Sequence, residues 1–135
     1  MEDVARLVLE GTDDAVVIAD TEGVIRFWNR AAERVFGWPA AEAVGRTLDL
    51  IVPEKHRATH WAGYRRVMAG GETSYAGRLL AVPALRGDGG RVSIEFSMTL
   101  LPGRGIAAIV RDVTDRRRAE QELRCRLDEL ERRPA

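Results

Sequence analysis

Residues Gly23 to Trp38 read GVIRFWNRAAERVFGW, and the hydrophobic period changes inside them. Val24-Ile25-Arg26-Phe27-Trp28 is a short apolar, aromatic-rich run of strand length. From Asn29 the apolar residues recur at helical spacing, at Ala31, Ala32, Val35 and Phe36. Asn29 is a good N-cap, because its side-chain oxygen can accept from an orphan N–H of the first turn. Gly37 stands where a glycine commonly ends a helix. The stretch predicts a strand, a cap, one short amphipathic helix and a stop.

Working outward, Val4, Leu7 and Val8 share one helical face, which predicts a short helix over residues 2–10 stopped by Gly11. Ala15 to Ala19 is a buried strand, and Asp20-Thr21-Glu22-Gly23 is a tight turn into the next one. Beyond the central helix, Pro39 opens a second short helix. Pro53 suits the first turn of a longer helix running to about Ala69, because its missing N–H costs nothing there.

Three strands follow. Ser74 to Leu85 is the first, and Gly87-Asp88-Gly89-Gly90 is a hairpin turn. Arg91 to Leu101 alternates, with Val92, Ile94, Phe96 and Met98 on one side and Ser93, Glu95, Ser97 and Thr99 on the other. Ile106 to Val113 is the last strand, and a charged helix runs from Thr114 toward Pro134. Strand runs divided by helices predict an α+β domain, an antiparallel sheet with helices on one face.

At 135 residues the chain has the length of one domain with a real core. Net charge is zero, so neither nucleic acid nor a membrane surface is an expected partner. All but one of the 21 basic residues are arginine, the exception being Lys55, which reads as a coding bias. Cys125 is the sole cysteine, which excludes an intrachain disulfide and fits a cytoplasmic location. No apolar run approaches the roughly 20 residues of a membrane span, and the N-terminus lacks the pattern of a signal peptide. No Gly-rich phosphate loop, G-x-S-x-G elbow or paired-cysteine metal motif is present, so an enzyme is not expected.

The strand, Asn cap, short helix, Gly and aromatic of residues 23–38 resemble the centre of a PAS sensory domain. So does the order of elements over nearly the whole chain. Arg111-Asp112-Val113-Thr114 resembles that family's Asp-x-Thr junction between sheet and output helix. The resemblance implies a PAS fold: five antiparallel strands, short helices on one face, and a pocket between them. It divides the chain into an N-terminal helical cap (1–11), the PAS domain (12–114) and a C-terminal coiled-coil or linker helix (115–135). Residues 39–51 carry no cysteine, so the flavin-adduct photoreceptor branch is disfavoured.

His60, Gly63, Tyr64, Val67 and Met68 lie on one face of the helix that begins near Pro53. A lone imidazole thus sits on a largely apolar stripe, beside a glycine that would let a flat ligand approach. The segment from Val52 resembles the corresponding helix of haem-binding PAS oxygen sensors, where a helix opening with Pro-Glu carries the proximal ligand. The resemblance implies haem b as a candidate cofactor, with His60 as the iron ligand. Read without gaps, the distal position of those sensors falls on Leu80, whereas Arg78 lies two residues earlier on the same side of a strand. Ile94, Phe96 and Ile109 complete the candidate pocket. Three readings stand together here: haem, another small ligand, and a pocket with no cofactor, in which His60 is structural. His56 and His60 are four residues apart, but no placed carboxylate or cysteine joins them, and the spacing reads as coincidence. Trp28, Trp38 and Trp61 read as packing residues.

Leu123, Leu127 and Leu130 are spaced four and three, a heptad fragment in the terminal helix. With Asp112 and Thr114 they form the expected relay and dimer elements. The expected function is sensory: ligand binding is passed through a dimerising helix to a partner such as a histidine kinase. The alternative is a ligand-free interaction module.

Overall fold

Asn29 ties the fold together. It stands between β2 (Ile25–Trp28) and α2 (Arg30–Phe36), and it is fully buried. Its Oδ1 accepts from the N–H of Ala32 at 2.9 Å, which caps α2. The same oxygen accepts from the N–H of Val16 at 2.9 Å, in β1 (Ala15–Ala19). Its Nδ2 donates to the carbonyl of Leu9 at 2.7 Å, in α1 (Glu2–Gly11), and to that of Asp14 at 3.0 Å. One amide therefore serves four backbone groups that would otherwise lack these partners. Gly37 ends α2 at φ 74°, a left-handed conformation that glycine adopts without penalty. Ala31, Ala32 and Phe36 form the buried side of α2, and the Phe36 ring lies 5.2 Å from that of Trp28.

The computed structural model describes residues 2–70 and 79–132. Its sheet has five antiparallel strands in the order β2-β1-β5-β4-β3. Here β3 is Leu80–Leu85, β4 is Arg91–Leu101 and β5 is Gly105–Asp112. The first and last strands are neighbours, with Ala15 opposite Val110 and Ala19 opposite Ile106. Between β2 and β3 the chain runs through α3 (Ala40–Ala43), a 3₁₀ turn at Leu48–Leu50 and α4 (Arg57–Gly70). The last helix, α5 (Thr114–Arg132), leaves the end of β5. This is the α+β architecture that the sequence predicts.

Two boundaries differ from expectation by more than a residue. The helix expected from Pro53 is broken: Glu54–His56 form a 3₁₀ turn, and the α-helix begins at Arg57. Pro53 is extended, at ψ 141°, and its carbonyl accepts from the N–H of His56 at 2.8 Å, closing the tighter turn. The strand expected from Ser74 begins at Leu80, and residues 74–78 of that expectation lie outside the described residues.

The register of β4 is as expected, but the contrast between its faces is muted. Val92 and Ile94 are buried, whereas Phe96 and Met98 are half-buried because they border a cavity. On the other face only Thr99 is exposed; Ser93, Glu95 and Ser97 are half-buried. The start of α5 lies against this face. The Ser93 N–H donates to Thr114 Oγ1 at 3.0 Å, the Ser93 carbonyl accepts from Val113 at 2.8 Å, and Glu95 pairs with Arg116.

A cavity between the sheet and α4

The inner face of the sheet does not meet α4 everywhere. A cavity of about 390 Å³ lies between them, within the range of small-molecule sites. Its floor is made by alternate residues of the strands: Val17 and Ala19 of β1, Ala108 and Val110 of β5, Ile94 and Phe96 of β4. Ala19 and Ala108 leave room because their side chains are short. Phe36, Ile51, Val52 and Pro53 close other sides. Among the described residues, the polar lining comes from one segment, the 3₁₀ turn and α4, which contributes His56, Thr59, His60 and Tyr64.

Polar side chains fix the first half of α4. Arg57 donates through Nε to the Val52 carbonyl at 3.1 Å and through Nη2 to the Asp49 carbonyl at 3.2 Å. Trp61 Nε1 donates to Asp49 Oδ1 at 2.7 Å, and the indole ring covers Gly23, where any side chain would collide with it. The Tyr64 hydroxyl donates to the Asp20 carbonyl. Burial, reinforced by the Asp20 carboxylate, pushes the Tyr64 phenol up to about 12, so it stays a neutral donor. Farther along, Tyr64 and Val67 pack on Ile106, with Met68 and Leu100 beside them.

His60 is left over from this bonding. Its ring lies edge-on to Trp61 at 4.8 Å and tilted to Tyr64 at 5.8 Å, and its Nδ1 is buried with no hydrogen-bond partner among the described residues. Burial lowers its pKa below the ordinary histidine value, against the opposing pull of Asp49. A neutral imidazole with an unused nitrogen faces a nearly apolar chamber. Such a group can donate to or accept from a ligand, or coordinate a metal ion.

Of the sequence-predicted pocket residues, His60, Tyr64, Ile94 and Phe96 line this cavity. Val67 belongs to the small core beneath the second half of α4. Gly63 is half-buried, but a side chain there would meet nothing within 4 Å, so it is not a close-approach point. Leu80 pairs with Phe96 across the sheet without lining the cavity. Ile109 needs correcting: it is 46% exposed on the opposite face of β5, and Ala108 and Val110 are the residues that turn inward. Arg78 lies outside the described residues. Ala19, Ala108 and the Val52-Pro53 edge were missed, and only strict alternation on β1 and β5 could have signalled the first two.

At the output end, the Thr114 N–H donates to Asp112 Oδ1 at 2.9 Å, while Thr114 Oγ1 holds the Ser93 N–H. Asp112 and Thr114 thus fix the start of α5 against β4. Leu123, Leu127 and Leu130 are 61%, 52% and 62% exposed, so this stripe does not pack on the chain's own sheet.

The PAS fold family matches residues 9–118, and the chain belongs to it. Sensor protein FixL of Bradyrhizobium diazoefficiens is 30% identical over 93% of this chain and 25% of its own length. The cell-division control histidine kinase PdhS of Brucella ovis is 32% identical over 94% of this chain and 12% of its own. The chain therefore spans no more than a quarter of either relative. A crystal structure of the PAS domain of a protein from Colwellia psychrerythraea aligns with 84% of this chain and 97% of that one. It has a TM-score of 0.69 at 21% identity, a likeness of fold. The chain is a PAS sensory domain homologous to segments of these sensor proteins.

Proposed function

We propose that this domain is a non-catalytic ligand sensor that reports the occupancy of the cavity to α5, and through α5 to a histidine-kinase-type effector in the cytoplasm. The carrying observation is the cavity itself: an apolar chamber with one unused buried nitrogen, at His60, walled by the strand that runs into α5. A ligand that binds one arrangement of sheet and helix better than another shifts the population between them. The exposed leucine stripe supports a homodimer through α5.

Haem b is the cofactor that the sequence resemblance implies, and His60 would be its iron ligand. Bound haem supplies an iron centre that takes a diatomic gas or changes oxidation state. The described lining matches this group in part. The neutral, unpartnered imidazole fits an iron ligand, but no arginine or lysine among the described lining residues answers the two haem carboxylates. The test is titration of the full chain with haemin, followed by absorption. A stoichiometric Soret band lost in His60→Ala, with the melting curve kept, would establish haem. A spectrum that never saturates would remove haem and leave the sensory domain with another ligand.

A further inference from the structure

We infer that the cavity is built for a medium-chain fatty acid, with its carboxylate at the His60 end and its alkyl chain lying across the inner face of the sheet. This rests on the ligand-sensing reading above and names the ligand class.

The polar groups are distributed unevenly. His56, Thr59, His60 and Tyr64 all belong to one segment, and the Tyr64 hydroxyl is already committed to the Asp20 carbonyl. Of the other three, Thr59 and His56 are exposed, so a head group beside them keeps part of its hydration. His60 is the inward one, and its Nδ1 is the buried atom that lacks a partner. A carboxylate can accept from the imidazole N–H and from the Thr59 hydroxyl together.

Among the described residues, every other wall is apolar. The floor crosses four adjacent strands, from Val17 and Ala19 of β1 to Val82 of β3. Three spacings between neighbouring strands make that floor roughly 14 Å wide. A ligand polar at both ends, or along its length, would bury groups against Val110, Ile94 and Phe36 without partners. A saturated chain buries only methylenes there. Ala108 on β5 lies inside the floor, where a chain needs clearance, and Ala19 leaves room at its β1 end.

The test is calorimetric titration of the full chain with hexanoate, octanoate, decanoate and dodecanoate, each below its micelle concentration. Affinity should rise about fourfold per methylene, the equivalent of about 0.8 kcal/mol, until the chain fills the chamber. His60→Leu should weaken every member by a similar factor of about ten and preserve the increment per methylene. Ala108→Leu should abolish binding by filling the floor. If that variant fails to fold, Val82→Trp on the half-exposed edge strand provides a second block. Affinity that ignores chain length, or survives the block, would place the alkanoates outside the cavity and overturn the inference. Stoichiometric, His60-dependent haemin uptake without alkanoate binding would overturn the fatty-acid class and leave the ligand-sensing reading intact. Failure of both ligands to bind would overturn the fatty-acid class and also remove haem from the sensory reading.

Discussion

Replacing Asn29 by alanine tests the centre of the fold. The side chain is fully buried and makes four hydrogen bonds, two as acceptor and two as donor. Loss of a helix cap alone costs about 1 kcal/mol. Here the truncation also strands the Val16 N–H in β1 and takes a donor from the carbonyls of Leu9 and Asp14. A buried group left without a partner costs about 1–3 kcal/mol, less where water can enter. The strand N–H bears most of that penalty, and the two carbonyls add less because their surroundings are only part-buried. The expected loss for Asn29→Ala is therefore about 3–5 kcal/mol, a large share of the roughly 5–15 kcal/mol that holds a domain folded. Asn29→Ser retains an acceptor for Ala32 and should recover only about 1 kcal/mol of it. Asn29→Asp keeps both acceptor contacts but faces two carbonyls with a carboxylate oxygen, so it should be nearly as damaging as alanine. Urea denaturation followed by circular dichroism gives all three values by linear extrapolation. A loss near 1 kcal/mol for alanine, equal to that for a simple cap, would refute the four-way role.

Three further outcomes follow from particular contacts. Phe96→Ala should cost about 2–3 kcal/mol, below the 3–5 of a fully buried ring, because Phe96 borders the cavity and is half-buried; a loss near zero in urea would place β4 in the wrong register. Burial lowers the His60 pKa in the folded state, so the unfolded chain takes up the proton first as pH falls. Stability should be complete above the unfolded value near 6.5 and decline below it as the folded value is approached, and His60→Leu should flatten that decline; equal urea midpoint shifts between pH 7.5 and 5.5 in both proteins would contradict it. Truncation after Thr114 removes Leu123, Leu127 and Leu130 and should shift sedimentation toward monomer. If the shorter chain remains as dimeric, the interface lies elsewhere, with the exposed Val4, Leu7 and Val8 of α1 as the next surface to test.

The parts of the fold that were legible in sequence are those with local causes. Asn29 and Gly37 bracket α2 because capping and left-handed backbone are properties of single residues. The β4 strand could be read because polar and apolar residues alternate along it from Arg91 to Leu100. Its neighbour β5 reads Gly-Ile-Ala-Ala-Ile-Val-Arg-Asp, with alanine on both faces, so composition does not reveal which side is inward. The sequence therefore points to Ile109 as a pocket residue, where the structure has Ala108. A cavity floor defined by short side chains leaves little mark in a sequence, because alanine in a strand also reads as plain filler. The other three bonds to Asn29 were likewise beyond reach, since those partners come from other segments. The unused nitrogen of His60 is a consequence of what its neighbours do: Trp61 takes Asp49, and Tyr64 takes the Asp20 carbonyl.

Under the proposed function, the same contacts link the cavity to α5 through the sheet. α4 is held at its first half by Arg57, Trp61 and Tyr64 through polar bonds, and at its second half by a small cluster around Val67 and Ile106. Between these anchors and β4 there is open space instead of close packing. A ligand in that space would touch α4 on one side and β4 and β5 on the other. Glu95 and Ser93, on the outer face of β4, hold Arg116 and Thr114 at the start of α5. Filling the inner face and gripping the helix on the outer face therefore act on one strand. Under the proposed function, displacement of β4 would couple the two without any contact between ligand and α5.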